Sequence, residues 1–230
     1  MENTKIFSFI GLEREDIPYY IAEAIAEKNR NVLVIDNSTE HSLFLSLKRL
    51  DSKADSVEEG RIIFLRNRLF SENNFEKFDV AIIYHGINVN EELLDESDRI
   101  IFMTDYMPMH QRKIKEYVDV EDIYETYMDK FQILFVDKTS GKVSEKAIKR
   151  FFEIEDFDEE TILSADETDF GLRINFQYNG AQSSNGASSE LRAYIKTFVN
   201  LVVEDAKRKQ REEKEAEKAL KNAKKGGNRR

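Results

Sequence analysis

The stretch KIFSFIGLEREDIPYYIAEAIAEKNRNVLVID, residues 5–36, spells a strand, a loop, a helix and a second strand. Lys5 to Ile10 is an apolar run of strand length. Ile17, Tyr20, Ile21, Ala24 and Ile25 recur at i, i+3, i+4, i+7 and i+8, which lines one face of a helix. Val32 to Ile35 is a second apolar run, closed by Asp36. Two parallel strands joined by a crossover helix form a βαβ unit. In such units the loop after the first strand commonly holds phosphate on the amides that open the helix. Here that loop is Gly11-Leu12-Glu13-Arg14-Glu15-Asp16. One glycine and three acids make a poor phosphate cradle.

Working outward, the same kind of apolar run returns at Arg61–Leu65, Val80–Tyr84, Arg99–Met103 and Gln132–Val136. Continuous runs of this type are buried on both faces of a parallel sheet. Ile162–Leu163 and Leu172–Phe176 are weaker strand candidates, the second the better of the two. Helices are expected around residues 43–47, 88–97, 108–118 (with further turns through 129), 144–152 and 190–203. Asp51–Gly60 and Gly180–Ser189 read as surface loops. Strands alternating with helices predict one α/β domain over residues 1–206, three-layered, with a mostly parallel sheet flanked by helices. Residues 207–230 read as a charged C-terminal helix or flexible tail.

Composition narrows the chemistry. The chain has 230 residues and no cysteine. Disulfides, thiol catalysis and Cys-ligated metals are thereby excluded, and a reducing compartment fits. No apolar run reaches the ~20 residues of a membrane span, and the first residues do not read as a signal peptide. The expected location is the cytoplasm. Net charge is −10, unevenly placed: residues 207–230 carry 11 Lys/Arg and 4 Glu, against 24 Lys/Arg and 41 Asp/Glu in residues 1–206. The body should repel polyanions, and only the tail could attract nucleic acid.

The element order and several local texts resemble the MinD/ParA family of deviant-Walker P-loop ATPases, over nearly all of residues 3–203. AEAIAEKNRNVLVID is similar to that family's helix, turn and second strand. Phe78–Tyr84 resembles the strand that ends in the Walker B aspartate, Asp95–Thr104 the segment after it, and Gln132–Lys138 the later strand that leads toward the base-recognition loop. Laid on the family loop K-G-G-x-G-K-[ST]-[ST], this chain reads Phe9-Ile10-Gly11-Leu12-Glu13-Arg14-Glu15-Asp16. The signature lysine position is Phe9. The last glycine position is Glu13, the Walker lysine position is Arg14, and the magnesium-binding hydroxyl positions are Glu15 and Asp16. Tyr84 stands at the Walker B aspartate, while Asp36 keeps the acid that ends the second strand. The resemblance implies a P-loop NTPase-like fold with a degenerate nucleotide pocket.

A P-loop binds triphosphate through successive amides and a lysine, with glycines allowing close approach. Like charges about 4 Å apart at an effective dielectric near 20 cost on the order of 4 kcal/mol. Glu13, Glu15 and Asp16 against Arg14 therefore disfavour phosphate, and no cofactor is expected. The leading functional expectation is a non-catalytic pseudo-ATPase. By resemblance it would be a scaffold, localisation or assembly factor for a bacterial machine such as a pilus or secretion system. It would bind a protein partner, an ATPase or a machine component, and could form a homodimer. The alternatives are an atypical ATPase using ATP and magnesium, and a nucleic-acid tether acting through the basic tail.

Other features have simpler readings. Asp16 followed by Pro18 is expected to N-cap the first helix. Asp36, His41, His85 and Asp105 could share the carboxyl edge of the strands, but their spacing matches no metal motif, so isolated histidines are the expectation. Thr104 and Lys138 end successive strands as in receiver domains, yet Tyr84 stands where the phosphoacceptor aspartate is needed.

Overall fold

The computed structural model describes residues 4–47, 54–66, 75–180, 183–204 and 208. The basic segment 209–230, on which the tail readings rest, lies outside the described residues, as do 205–207. Eight strands form one sheet: β1 (Lys5–Gly11), β2 (Val32–Asp36), β3 (Ser56–Glu59), β4 (Ile62–Arg66), β5 (Val80–Gly86), β6 (Arg99–Thr104), β7 (Phe131–Lys138) and β8 (Glu160–Ser164). Their order is β3-β4-β2-β5-β1-β6-β7-β8. Every pairing is parallel except that of β3 with β4. β1 is central, hydrogen-bonded to β5 on one side and β6 on the other. The order reverses at β1, and the crevice beyond the carboxyl ends of such strands is where open α/β sheets bind ligands.

The helices are α1 (Asp16–Ala26), α2 (Ser42–Leu45), α3 (Glu91–Asp95), α4 (Pro108–Tyr117), α5 (Val120–Thr126), α6 (Glu145–Phe151), α7 (Glu167–Asn179) and α8, residues 189–204. Three short ones have side-chain caps that explain where they start. Asn90, Asp119 and Ser144 accept from the amides of Leu93, Asp122 and Ala147. Such caps satisfy amides that would otherwise be orphaned.

Alternation along each strand sorts the core into two faces. Phe7, Phe9, Val34, Ile82 and Tyr84 point into the larger cluster. There α1, α7 and α8 supply aromatic partners: the Tyr19 and Phe176 rings lie 4.7 Å apart, and Phe7 meets Phe198 edge-on at 5.2 Å. Ile6, Leu33, Ile35, Ala81 and Ile83 form the smaller cluster beneath Leu93 of α3 and Phe75. Both faces of the sheet are thus dry, as a parallel sheet requires.

Two expectations are corrected. Residues 172–176 are not a strand: they belong to α7, which starts where Asp166 accepts from the amides of Thr168 and Asp169. The apolar alternation at Ile174, Phe176 and Tyr178 imitates a strand, but only Phe176 is buried among the three. The acidic run 51–60, read wholly as loop, contains β3, a four-residue edge strand pairing antiparallel with β4. Its polarity suits an edge exposed on one side.

Candidate functional site

Gly11 ends β1 with φ of +94°, and a Cβ there would lie 2.5 Å from the Met103 carbonyl oxygen and 2.8 Å from the Phe102 ring. The next amide, Leu12 N–H, donates to that same carbonyl at 2.8 Å. The retained glycine is therefore explained by close packing of the loop against β6. Gly86, at the end of β5, has φ of +55° and brings its backbone against Glu13 and Ser38.

From Gly11 the chain passes through four residues and enters α1. The helix does not begin as expected. Glu15 is the N-cap residue, without a side-chain cap hydrogen bond, and Asp16 is already helical. The Asp16 carboxylate is occupied instead by Arg14, whose Nε donates to Oδ1 at 2.9 Å and Nη2 to Oδ2 at 3.0 Å. This fork-on-fork pairing is the strong geometry for guanidinium and carboxylate. The third contact of Arg14 crosses the sheet edge: Nη1 donates to Asp137 Oδ2 at 2.8 Å. Arg14 is 4% exposed. Burial alone would push its pKa down, but Asp16 and Asp137 outweigh that and hold it above the usual arginine range.

Helix α7 closes the loop from outside. Arg173 Nη2 donates to the Glu13 carbonyl at 3.2 Å, and its Nε lies 4.0 Å from Asp16 Oδ1. Gln177 donates to Glu15 Oε1 at 2.6 Å. Lys113 of α4 pairs with Glu13 at 3.6 Å. Every charged group of the loop thus has a protein partner. Asp137, Arg173 and Gln177 are the site residues that sequence reasoning missed. They arrive from more than 120 positions away and carry no local motif, although Asp137 adopts a left-handed φ of +56°, uncommon outside glycine.

Tyr84 and Asp36 are register partners on β5 and β2; they lie on the same face, Asp36 at the end of β2 and Tyr84 two residues before the end of β5. Tyr84 is fully buried, its hydroxyl near that of Ser42 but outside strict hydrogen-bond geometry. Burial drives its pKa well upward, with Glu15 adding to the rise, so the phenol stays neutral. Asp36 is buried too, which raises its carboxyl, while Ser38 Oγ at 2.6 Å, Phe44 N at 2.8 Å and Ser38 N at 3.0 Å favour the charged form. Asp36 organises the turn into α2.

The four-residue set at the strand ends does not converge. His85 faces the opposite side of the sheet from Tyr84 and is completely buried. Its Nδ1 receives Asn37 Nδ2 at 3.3 Å and the Asn90 amide at 3.4 Å. That leaves Nε2–H to donate to Ser8 Oγ at 3.3 Å, which passes a hydrogen bond to Ser97 at 2.8 Å. Burial pushes His85 down to about 4. Asp105 pairs with His110 Nδ1 at 2.5 Å and accepts from the Met107 amide, while His41 is the left-handed residue that opens α2. Among the described residues, no group of three or more His, Asp or Glu side chains is placed to hold a metal ion.

Beside the loop, at the carboxyl ends of β1, β6 and β7, opens a cavity of about 770 Å³. Its walls include Leu12, Met107, Ile114 and Phe170, with Glu13 and Asp137 among the acids. That volume lies within the roughly 300–1,000 Å³ of ordinary ligand sites.

No protein-family model matches the chain, and no curated protein matches it. Solved structures do match. A ParA family ATPase from Chlorobium tepidum superposes with a TM-score of 0.62 at 12% identity, covering 88% of this chain and 99% of that one. MinD of Aquifex aeolicus, in its complex with MinC, gives 0.59 at 14%, covering 86% and 96%. McdA of Cyanthece gives 0.59 at 12%, covering 87% and 99%. At these identities the likeness establishes the fold, which is MinD/ParA-like. Among the described residues, no helix is long and apolar enough to cross a membrane.

Proposed function

We propose that this MinD/ParA-like chain is a pseudo-ATPase, a scaffold that localises or assembles a bacterial machine of the pilus or secretion type by binding a protein partner. The observation that carries this reading is the closed ion pairing of Arg14 with Asp16 and Asp137. The one cation at the Walker lysine position is already neutralised by two carboxylates. Glu15 and Asp16, at the magnesium-binding hydroxyl positions, are held by Gln177 and Arg14. Tyr84 supplies a neutral phenol where phosphoryl transfer needs an acid near a metal. The residues present do not fit a magnesium–triphosphate, so no catalytic step is assigned.

Partner binding in this reading is independent of nucleotide, and so is any homodimer. The test is calorimetry of the full chain with magnesium and ATP, alongside a phosphate-release assay. The expected result is no heat of binding below about 1 mM and no turnover above buffer. Micromolar ATP binding, or turnover abolished by Arg14→Ala, would overturn the proposal.

A further inference from the structure

The cavity beside the loop is walled by apolar side chains, and its charges are lopsided. Five carboxylates line it (Glu13, Asp105, Asp137, Asp166 and Glu167) against two full cations, Lys113 and Arg173. Both cations are engaged by Glu13, one through its carboxylate and one through its carbonyl. Asp137 is held by Arg14 and Asp105 by His110, so the carboxylates offered to an incoming cation are chiefly Asp166 and Glu167 at the start of α7. Three apolar lining residues stay exposed: Met107 at 55%, Val143 at 45% and Phe170 at 62%. From Phe170 the exposed apolar surface continues along α7 through Ile174 at 38% and Tyr178 at 84%. These three stand at i, i+4 and i+8, a track of about 12 Å along one helix face. An uncovered aromatic track next to a concave site marks an interaction surface.

We infer that the cavity and the α7 track together bind a linear segment of a partner protein that alternates basic and apolar side chains. The basic groups meet the carboxylates, and the apolar ones fill the cavity wall and cover Phe170 and Tyr178. The track runs past the cavity, so its occupant is longer than a small ligand. Nucleic acid is disfavoured by the acids. A second copy of this chain would set the same acids against one another. The chain's own residues 207–230 have the right charge but a single bulky apolar residue, Leu220. The inference rests on the scaffold reading for its biological role, but not for the binding itself.

The experiment is fluorescence anisotropy on the full chain with three labelled probe hexapeptides: Arg-Leu-Lys-Phe-Leu-Arg, its acidic counterpart Glu-Leu-Glu-Phe-Leu-Glu, and the polar Arg-Ser-Lys-Ser-Ser-Arg. The first is expected to bind in the micromolar range, each control about tenfold or more weaker. Phe170→Ser and Glu167→Lys should each weaken the first probe roughly tenfold, while Met128→Ser, exposed at 55% elsewhere, should not. Both site residues are exposed, and thermal melts equal to wild type confirm that the variants fold. No binding of the first probe, equal binding of all three, or indifference to both site variants overturns the inference. Displacement by spermidine that depends on Glu167 while probe binding ignores Phe170 also overturns it, in favour of a small cation. Magnesium–ATP in the same format separates the two proposals. Micromolar competition by ATP defeats the pseudo-ATPase reading alone, whereas silence of both peptide and ATP defeats the docking inference alone.

Discussion

Replacing Arg14 with methionine keeps an unbranched, flexible stem and removes the charged guanidinium. Among the described residues, the Asp16 carboxylate, 1% exposed, would then have only Arg173 within ion-pairing range, at the 4.0 Å limit. Orphaning one member of a buried pair costs about 3–5 kcal/mol. For a domain of this size, each kcal/mol moves Tm by roughly 2–4 °C, so Arg14→Met should lower Tm by about 6–20 °C. Asp137 is the half-exposed partner, at 48%, and Asp137→Asn should cost only about 0.2–1 kcal/mol. The decisive variant is Arg14→Met with Asp16→Leu. It removes both buried charges and leaves only the half-exposed Asp137 without its partner, and most of the loss should return, because well-packed apolar replacements of buried pairs are often neutral or better. Urea titrations followed by circular dichroism, with Asp16→Leu alone added, give the four differences, provided the m-values agree, and the Arg14–Asp16 double-mutant cycle isolates the coupling. If Arg14→Met costs under about 1 kcal/mol, or the double variant is no more stable than the single, the ion pairs do not hold the loop closed.

Two further predictions concern pH. His85 is neutral in the folded state down to about 4, whereas the unfolded chain protonates it near 6.5. Its contribution is intact above pH 6.5 and is lost as pH falls toward 4, by up to about 3 kcal/mol. His85→Gln should flatten the wild-type slope of urea midpoints over that window. Glu23 behaves in the opposite sense. Burial chiefly, with Glu27 and Glu59 nearby, pushes it up to about 7 against the hydrogen bond from the Ser184 amide. The folded state then holds a proton that the unfolded chain releases near 4.5, so stability falls between pH 4.5 and 7 and stays lower above. Glu23→Gln should raise stability at pH 8 by about 1–3 kcal/mol and leave it unchanged near pH 4, as equilibrium unfolding at the two pH values would show.

The parallel core was legible because its strands carry the burial signal in their own residues. VLVID and VAIIYHG are apolar almost without break and are buried along their whole length. β3 was not legible, since SVEE owes its pairing to the neighbouring β4 and not to its composition. In α7 two periodicities compete, and the Asp166 cap with the packing of Phe176 against Tyr19 decides for the helix. At the site, the loop between β1 and α1 and the position of Asp36 at the end of β2 could be placed from the sequence. What they touch could not. The role given to Asp16 as a cap fails because the bidentate partner next to it competes for the same oxygens. Asp137, Arg173 and Gln177 reach the loop only through tertiary folding, for which local spacing has no signature.

The central place of β1 also has a consequence for how the protein is made. β1 is complete at residue 11, but its neighbours begin at residues 80 and 99. Synthesis at about 5–20 residues per second leaves this apolar strand without either partner for about 4–15 s, until β5 is finished, and without its second partner β6 for a few seconds more. Its only early companions are α1 and β2, and β2 pairs with β4 and β5, never with β1. The nascent β1 must therefore travel as an unpaired edge, the state most open to aggregation and to capture by chaperones. Slowing translation across residues 12–100 should lower the yield of folded protein more than the same delay placed after residue 138.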